Sequence, residues 1–186
     1  MKNILTLNIS KAYNLIFSLF LSAAVAIGAQ AKAAEGHFEE TASYKSWSVG
    51  YLEKNNKTFA RLITINNGAA FALDFENTTY YATAIVLKAE RDRGRINNSQ
   101  KEMVNCFLRI DTKDMYSTTC DIEENTNFFI ITIHSGLNEK FLKESKAGRT
   151  LRLKLDFPSP VYFSFSLSGF TRGLENASQI NNSLNR

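Results

Sequence analysis

The sequence predicts an all-β protein: an antiparallel β-sandwich or partly open barrel with two short helices, one of them near the C-terminus. Apolar and polar residues alternate in several short runs, most clearly in TLRLKLDF (150–157). Turn-forming residues separate these runs at close spacing. The segment Asn66–Gly68 favours a type I′ hairpin, because Asn and Gly both tolerate positive φ. Helical spacing is confined to two segments, 135–148 and 169–177.

Four strands are predicted in the first half of the domain. They read YKSWSVGYLEK, TFARLITI, AAFALDF and YYATAIVLK. Trp47, Val49 and Tyr51 share one face of the first strand, so we expect Trp47 in the core rather than in an exposed aromatic binding patch. Residues 88–102 have no apolar face and are predicted to form a surface loop.

Two cysteines, Cys106 and Cys120, lie on a predicted pair of neighbouring strands. The segments VNCFLRI and Thr118–Ile122 can form a hairpin, which brings the two thiols near each other. An even number of cysteines in an exported protein favours a disulfide. The alternative, a metal pair, lacks a C-x-x-C motif, and the chain has two histidines in all.

The second half of the domain mixes strands and helices. NFFIITIH is predicted to be a buried strand, and SGLNEKFLKESKAG a helix that stops at Gly148. The strands TLRLKLDF and VYFSFSL follow. Phe170, Leu174 and Ala177 then have helical spacing, and Ser168 is predicted to be the N-cap of this last helix. We expect the helix to cover an opening or edge of the sheet.

The N-terminus has the three parts of a secretory signal peptide. Lys2 and Lys11 precede an apolar run from 15 to 27, and small residues in GAQAKAAEG fit a signal peptidase site. An uncleaved membrane anchor is the alternative, but the run fades into Ala, Gly and Gln. The predicted segments are a signal peptide (1–33), a flexible lead-in (34–43), a single domain (44–180) and a polar tail (181–186). The expected location is periplasmic or secreted.

Charge gives no case for nucleic-acid binding. The whole chain has 22 basic and 18 acidic residues, a formal charge of +4. Three of the basic residues, Lys2, Lys11 and Lys32, lie in the predicted signal peptide, which leaves +1 for the mature chain. A nucleic-acid-binding domain would need a strongly basic, clustered face.

No catalytic, metal or cofactor site is predicted. The G-x-S-x-G motif is absent, and His134 ends an apolar strand, where a structural role is favoured over a general base. Asp111 and Asp114 are interpreted as turn residues rather than calcium ligands. The candidate partner-binding site is the basic part of the 88–102 loop, with Lys88, Arg91, Arg93 and Arg95, which could contact an anionic partner.

The order of several short motifs resembles the invasion-associated locus B family of secreted and periplasmic alphaproteobacterial proteins. Beyond the signal peptide, the matching segments are Trp47-Ser48-Val49, Leu108-Arg109-Ile110-Asp111, Cys120, Ala147-Gly148-Arg149-Thr150-Leu151 and Phe165-Ser166-Leu167-Ser168-Gly169-Phe170. The match covers most of residues 44–177, and its last motif is the most specific. This chain has Gly50-Tyr51 where the family usually places a cysteine, so it resembles a divergent member. The resemblance implies an exported all-β fold, an association with host-cell invasion and no catalytic residues.

These observations predict an exported, non-enzymatic β-sandwich that acts by binding a protein or another component of the cell envelope or host surface. Its oligomeric state is left open, and no stable membrane insertion is expected after signal cleavage. Two alternatives stay open: a small periplasmic hydrolase that uses His134, and an accessory component of an envelope secretion complex.

Overall fold

The computed structural model describes residues 36–87, 102–124, 128–134 and 137–186. These residues form ten strands and two helices. The strands are β1 (His37–Tyr44), β2 (Trp47–Lys54), β3 (Lys57–Asn66), β4 (Ala69–Glu76), β5 (Thr79–Leu87), β6 (Glu102–Ile110), β7 (Met115–Glu124), β8 (Phe128–Ile133), β9 (Thr150–Leu155) and β10 (Val161–Ser166). The helices are α1 (Glu139–Ala147) and α2 (Phe170–Leu184).

All ten strands belong to one antiparallel sheet that is open rather than closed. The strand order is β1-β2-β3-β4-β5-β8-β7-β6-β9-β10. The sheet folds over on itself, so that the ring of Phe71 in β4 lies 5.6 Å from that of Phe165 in β10. The predicted all-β class, with one helix near the C-terminus, is confirmed.

The main core lies on the concave face of the folded sheet, where all the alternating strands place their apolar side chains. It includes Trp47, which is fully buried as predicted, and Phe141 from α1. Helix α2 adds Phe170, Leu174, Ala177 and Ile180. Aliphatic and aromatic burial of this kind supplies most of the stability of a domain.

A smaller apolar cluster and a buried ion pair lie on the opposite face of β3 and β4. The cluster includes Ile63 and Ala72. Arg61 and Asp74 occupy opposite positions in the register of β3 and β4. The Nε of Arg61 lies 2.5 Å from Oδ1 of Asp74, and Nη2 donates to Oδ2 at 2.6 Å. Arg61 is fully buried, so the pair sits where an isolated charge would be costly.

The predicted hairpin and disulfide of the central strands are confirmed. Strands β6 and β7 pair, and Val104 lies opposite Cys120 while Cys106 lies opposite Thr118. The two cysteines are therefore diagonal neighbours, with their Cα atoms 5.9 Å apart, and they form a disulfide. The disulfide is fully buried and belongs to the main core.

Both ends of the domain are more ordered than the sequence suggests. Residues 37–43 of the expected lead-in belong to β1, which pairs with β2 through a bulge between Glu40 and Ala42. The expected polar tail is largely helical, because α2 extends to Leu184. The side chain of Asn181 is buried there and donates to the main-chain oxygen of Asn77 at 2.6 Å.

The start of α2 also differs from the prediction. Gly169, not Ser168, occupies the N-cap position, and no side chain caps the helix. Gly169 has a φ of 93°, which L-residues with a side chain rarely adopt. A β-carbon there would also collide with the main-chain oxygen of Tyr44. The predicted stop of α1 at Gly148 is confirmed.

Two side chains donate hydrogen bonds to the outer edge of β10, where the described residues place no further strand. The indole Nε1 of Trp47 donates to the main-chain oxygen of Ser166 at 2.9 Å. The Nδ2 of Asn66 donates to the main-chain oxygen of Ser164 at 2.7 Å. These two bonds join the first and last parts of the folded sheet without a β-ladder.

Candidate anion-binding site

A surface cavity of about 530 Å³ lies at one end of the sheet, where several elements begin or end. Its wall includes the turn from β1 to β2, the last turn of α1, the end of β10 and the first turn of α2. The lining residues are Ser43, Tyr44, Lys45, Lys146, Leu167, Gly169, Thr171 and Arg172. We call this cavity the α2 cavity.

Three cations line the α2 cavity, and none of them forms an ion pair in the part of the chain that the structure describes. Lys45 comes from the turn between β1 and β2, Lys146 from the last turn of α1 and Arg172 from the first turn of α2. All three side chains are exposed. Like charges at one cavity repel each other, and an anion bound there would neutralise them.

The main chain at the start of α2 adds to this positive field. The first intrahelical bond runs from the N–H of Gly173 to the oxygen of Gly169, at 3.0 Å. The first turn of a helix has N–H groups without intrahelical acceptors, and the helix dipole makes this end positive. The N–H of Phe170 donates to the oxygen of Leu167 at 3.1 Å. Gly169 has no side chain to cap the next N–H groups of this turn, which belong to the cavity-lining residues Thr171 and Arg172.

Main-chain hydrogen bonds hold the walls of the α2 cavity together. The N–H of Ser46 donates to the oxygen of Ser168 at 3.2 Å, which fixes the β1–β2 turn against the end of β10. The N–H of Leu167 donates to the oxygen of Arg149 at 2.8 Å. The cations thus project from fixed backbone positions, so binding an anion would require mainly side-chain ordering.

The structure does not test the binding residues that were predicted from the sequence. Lys88, Arg91, Arg93 and Arg95 fall in 88–101, outside the described residues, so their proposed role stays a prediction. The Cys106–Cys120 disulfide is buried in the core and has a structural role. The α2 cavity was not predicted, since its cations are single residues far apart in the sequence.

His134 lies beside a carboxylate at the end of β8. Its Nε2 is 3.0 Å from Oδ2 of Asp121, and its side chain is 42% exposed. The nearby hydroxyl of Thr118 donates to the main-chain oxygen of His134 at 2.5 Å. The pair could orient an imidazole, as in a catalytic triad, but a triad also needs a nucleophile on the second ring nitrogen.

Asp111 takes part in main-chain hydrogen bonds at a turn, as expected for a turn residue. Its carboxylate accepts from the N–H of Arg149 at 3.0 Å and from the N–H of Thr150 at 2.9 Å. These bonds tie the β6–β7 turn to the start of β9. Within the described residues, no group of three or more His, Cys, Asp or Glu side chains is placed to hold a metal ion.

Comparison with known proteins gives matches among solved structures and no sequence match. No protein-family model matches the chain, and no curated protein sequence matches it. The fold is similar to the crystal structure of invasion associated protein b from Bartonella henselae, with a TM-score of 0.57 and 14% sequence identity. The likeness covers 78% of this chain and 99% of that chain. At this identity it shows a shared fold.

Proposed function

We propose that this protein is an exported, non-enzymatic binding protein that holds an anionic group of a cell-envelope or host-surface partner in the α2 cavity. The observation that carries this proposal is the convergence of Lys45, Lys146 and Arg172 on one cavity, where none of them has an ion-pair partner among the described residues. A phosphate, sulfate or carboxylate group suits these residues, because Arg and Lys both bind anionic oxygens by charge-assisted hydrogen bonds.

Two further observations support export. The buried Cys106–Cys120 disulfide is compatible with an oxidising compartment, since cytosolic thiols are usually kept reduced. The likeness to invasion associated protein b of Bartonella is compatible with an exported protein as well. We propose periplasmic or secreted location after signal cleavage, and membership of the invasion-associated locus B family as a divergent member.

The test removes the three cations and measures binding to envelope material. The triple variant Lys45→Gln, Lys146→Gln, Arg172→Gln should lose most of its salt-sensitive binding to envelope fractions from which the phospholipids have been extracted, and its melting temperature should stay close to that of the wild type. The same variant should lose the stabilisation that inorganic phosphate gives the wild type in a thermal-shift titration.

A matched control separates the cavity from net charge. Lys54, Lys113 and Lys143 are exposed cations that do not line the α2 cavity. Changing these three to Gln removes the same charge, and this control should bind envelope fractions as the wild type does. Equal binding by the two triple variants would reject the α2 cavity as the binding site.

The hydrolase alternative has one observation in its favour, the contact between His134 and Asp121. If the protein is a hydrolase that uses this pair, His134→Ala should abolish hydrolysis of ester or peptide substrates. We expect instead no hydrolysis by the wild type, and unchanged envelope binding by His134→Ala. Hydrolysis that depends on His134 would contradict the non-enzymatic proposal.

A further inference from the structure

Cations and apolar side chains share the outer face of β6, β9 and β10. The register places Phe107 opposite Lys154, and Lys154 opposite Tyr162. In the neighbouring row, Arg109 lies opposite Arg152. We call these five residues the basic-aromatic face. They point away from the main core, since the alternate residues of the same strands, such as those at 108, 153 and 165, are buried.

Arg109 and Arg152 bring two positive charges together on adjacent strands. Like charges directly opposite each other in a sheet are destabilising. Their side chains are held by the turn between β6 and β7: Arg109 donates from Nε to the oxygen of Lys113 at 3.0 Å, and Arg152 from Nη1 to that of Asp111 at 2.8 Å. In the described part of the chain, no carboxylate forms an ion pair with either guanidinium. The two charges are thus fixed in position and not neutralised.

Lys154 contributes less net charge than the arginines do. Its Nζ lies 5.1 Å from the ring centre of Phe107 and 2.6 Å from Oδ1 of Asp156. The hydrogen bond with Asp156 raises the pKa of Lys154, which keeps this side chain protonated. Because Asp156 offsets its charge, the arginine pair is the centre of positive potential on this face.

Two large apolar side chains lie near the arginine pair, and a third lies farther along the same face. Among the described residues, five large apolar side chains are exposed, and three of them lie on the outer face of β6, β7 and β10. These three are Met103, Met115 and Tyr162, which are 67%, 58% and 68% exposed. Met115 lies opposite Arg109 in β7. Met103 lies six positions before Arg109 in β6 and opposite Asp121. The apolar side chains near the arginines are therefore Met115 and Tyr162. Single exposed apolar residues are common in soluble proteins, but two near arginines that form no ion pair within the described residues make an amphipathic surface.

We infer that the basic-aromatic face, with Met115, docks on an anionic phospholipid surface. The arginine pair complements the negative charge of the lipid head groups. Methionine and tyrosine side chains can enter the head-group region, as apolar groups of interfacial proteins do. This inference concerns a different surface from the α2 cavity and does not depend on it.

The experiment uses the exported protein with its disulfide intact and measures co-sedimentation with lipid vesicles. The probes are vesicles of mixed phosphatidylglycerol and phosphatidylcholine, and vesicles of phosphatidylcholine alone. The wild type should bind the mixed vesicles, and this binding should weaken at high salt. Each basic residue near an anionic leaflet contributes about 1 kcal/mol, so Arg109→Gln/Arg152→Gln should bind about thirty-fold more weakly.

A second variant tests the apolar part without changing charge. Met115→Ser/Tyr162→Ser leaves the arginines and their turn contacts in place, and it should also weaken binding to the mixed vesicles. This variant keeps the test decisive if loss of the arginines disturbs the β6–β7 turn. The control Lys54→Gln/Lys143→Gln removes two exposed charges that lie neither on this face nor in the α2 cavity, and it should bind the vesicles as the wild type does.

Several results would overturn the inference. One is a wild type that does not bind the mixed vesicles at low salt. Another is equal loss of binding in the arginine variant and in the Lys54/Lys143 control, which would show an effect of net charge alone. A third is stronger, arginine-dependent binding to an immobilised acidic polysaccharide than to vesicles, which would assign the face to that ligand. None of these results bears on envelope binding by the α2 cavity, which its own variants test.

Discussion

Arg61 is a fully buried charged residue, and its stability depends on its ion pair with Asp74. Asp74 binds it through two atoms. Removing one partner of such a pair leaves an uncompensated buried charge, so Arg61→Met or Asp74→Asn should each lower the free energy of unfolding by about 3–5 kcal/mol. The double variant Arg61→Met/Asp74→Leu should recover most of that loss. Urea unfolding measures all three, and a double variant as unstable as the two losses combined would contradict this account.

Phe170 is the residue that fixes the start of α2 to the sheet. It is 1% exposed, and its ring meets that of Trp47 edge to face with the centres 5.0 Å apart. Phe170→Ala should therefore destabilise the protein by about 3–5 kcal/mol, as truncation of buried aromatic residues does. Leu184 at the other end of the same helix is 40% exposed, and Leu184→Ala should cost less than about 0.5 kcal/mol. Thermal or urea unfolding would show whether the two variants differ.

Single residues also mark where prediction from sequence reached its limit. Trp47 shares a strand face with Val49, and that spacing was sufficient to place it in the core. Ser168 had the chemistry of an N-cap, but the chain needs a positive φ and close contact with Tyr44 at the next position. Gly169 meets both needs, and this requirement comes from tertiary packing that the local sequence does not show. Gly50 is also required by tertiary packing, because a β-carbon there would collide with the backbone of Glu39 in β1.

At the scale of elements, the β6–β7 hairpin is held both by strand pairing and by the Cys106–Cys120 disulfide. Its disulfide closes a loop with a sequence separation of 14. We expect Cys106→Ala/Cys120→Ala to lower the free energy of unfolding by roughly 3 kcal/mol, mainly because the unfolded chain gains freedom. The intact mass of the exported protein should rise by two hydrogen atoms on reduction. Free thiols at both positions before reduction would contradict the pairing.

Alternation of apolar and polar residues predicted the strands that bury one face. It did not predict elements whose structure depends on contacts with neighbouring elements. The segment HFEETASY has two acidic residues and no regular alternation, yet it forms β1 because β2 offers a free edge. The end of α2 is polar in sequence, but Asn181 finds a buried acceptor in the main chain of Asn77. Apolar periodicity in a sequence indicates an element that buries one face. Elements that are stabilised mainly by strand pairing or by buried polar contacts therefore show little apolar periodicity and are hard to predict.

At the scale of the whole molecule, the α2 cavity depends on topology. The cavity brings together a β-turn, the end of one helix and the start of another, which carry Lys45, Lys146 and Arg172. The antiparallel strand order places these three segments at one end of the sheet. Each of the three residues is an ordinary surface cation in sequence. The net charge of +1 on the mature chain does not indicate a cationic cavity, because a net charge contains no information about where the charged residues lie. The described part of the fold was largely predictable, whereas the candidate site was not.

Export is a prediction about the whole chain. We expect the mature protein to begin near Lys32 or Ala34 and to be recovered outside the cytoplasm. The intact mass of the protein purified from periplasm or culture medium measures this directly. A mass that includes residues 1–31 would contradict cleavage, and a cytoplasmic location would contradict export.

The closure of β10 has a consequence for how the protein behaves at high concentration. An exposed strand edge can recruit the same strand from another molecule and so start a polymer. Because Asn66 and Trp47 already occupy the main-chain oxygens of Ser164 and Ser166, an incoming strand would have to displace both side chains. The opposite edge, β1, has a bulge, which interrupts regular pairing. Molecules crowded together should therefore remain separate at both ends of the sheet.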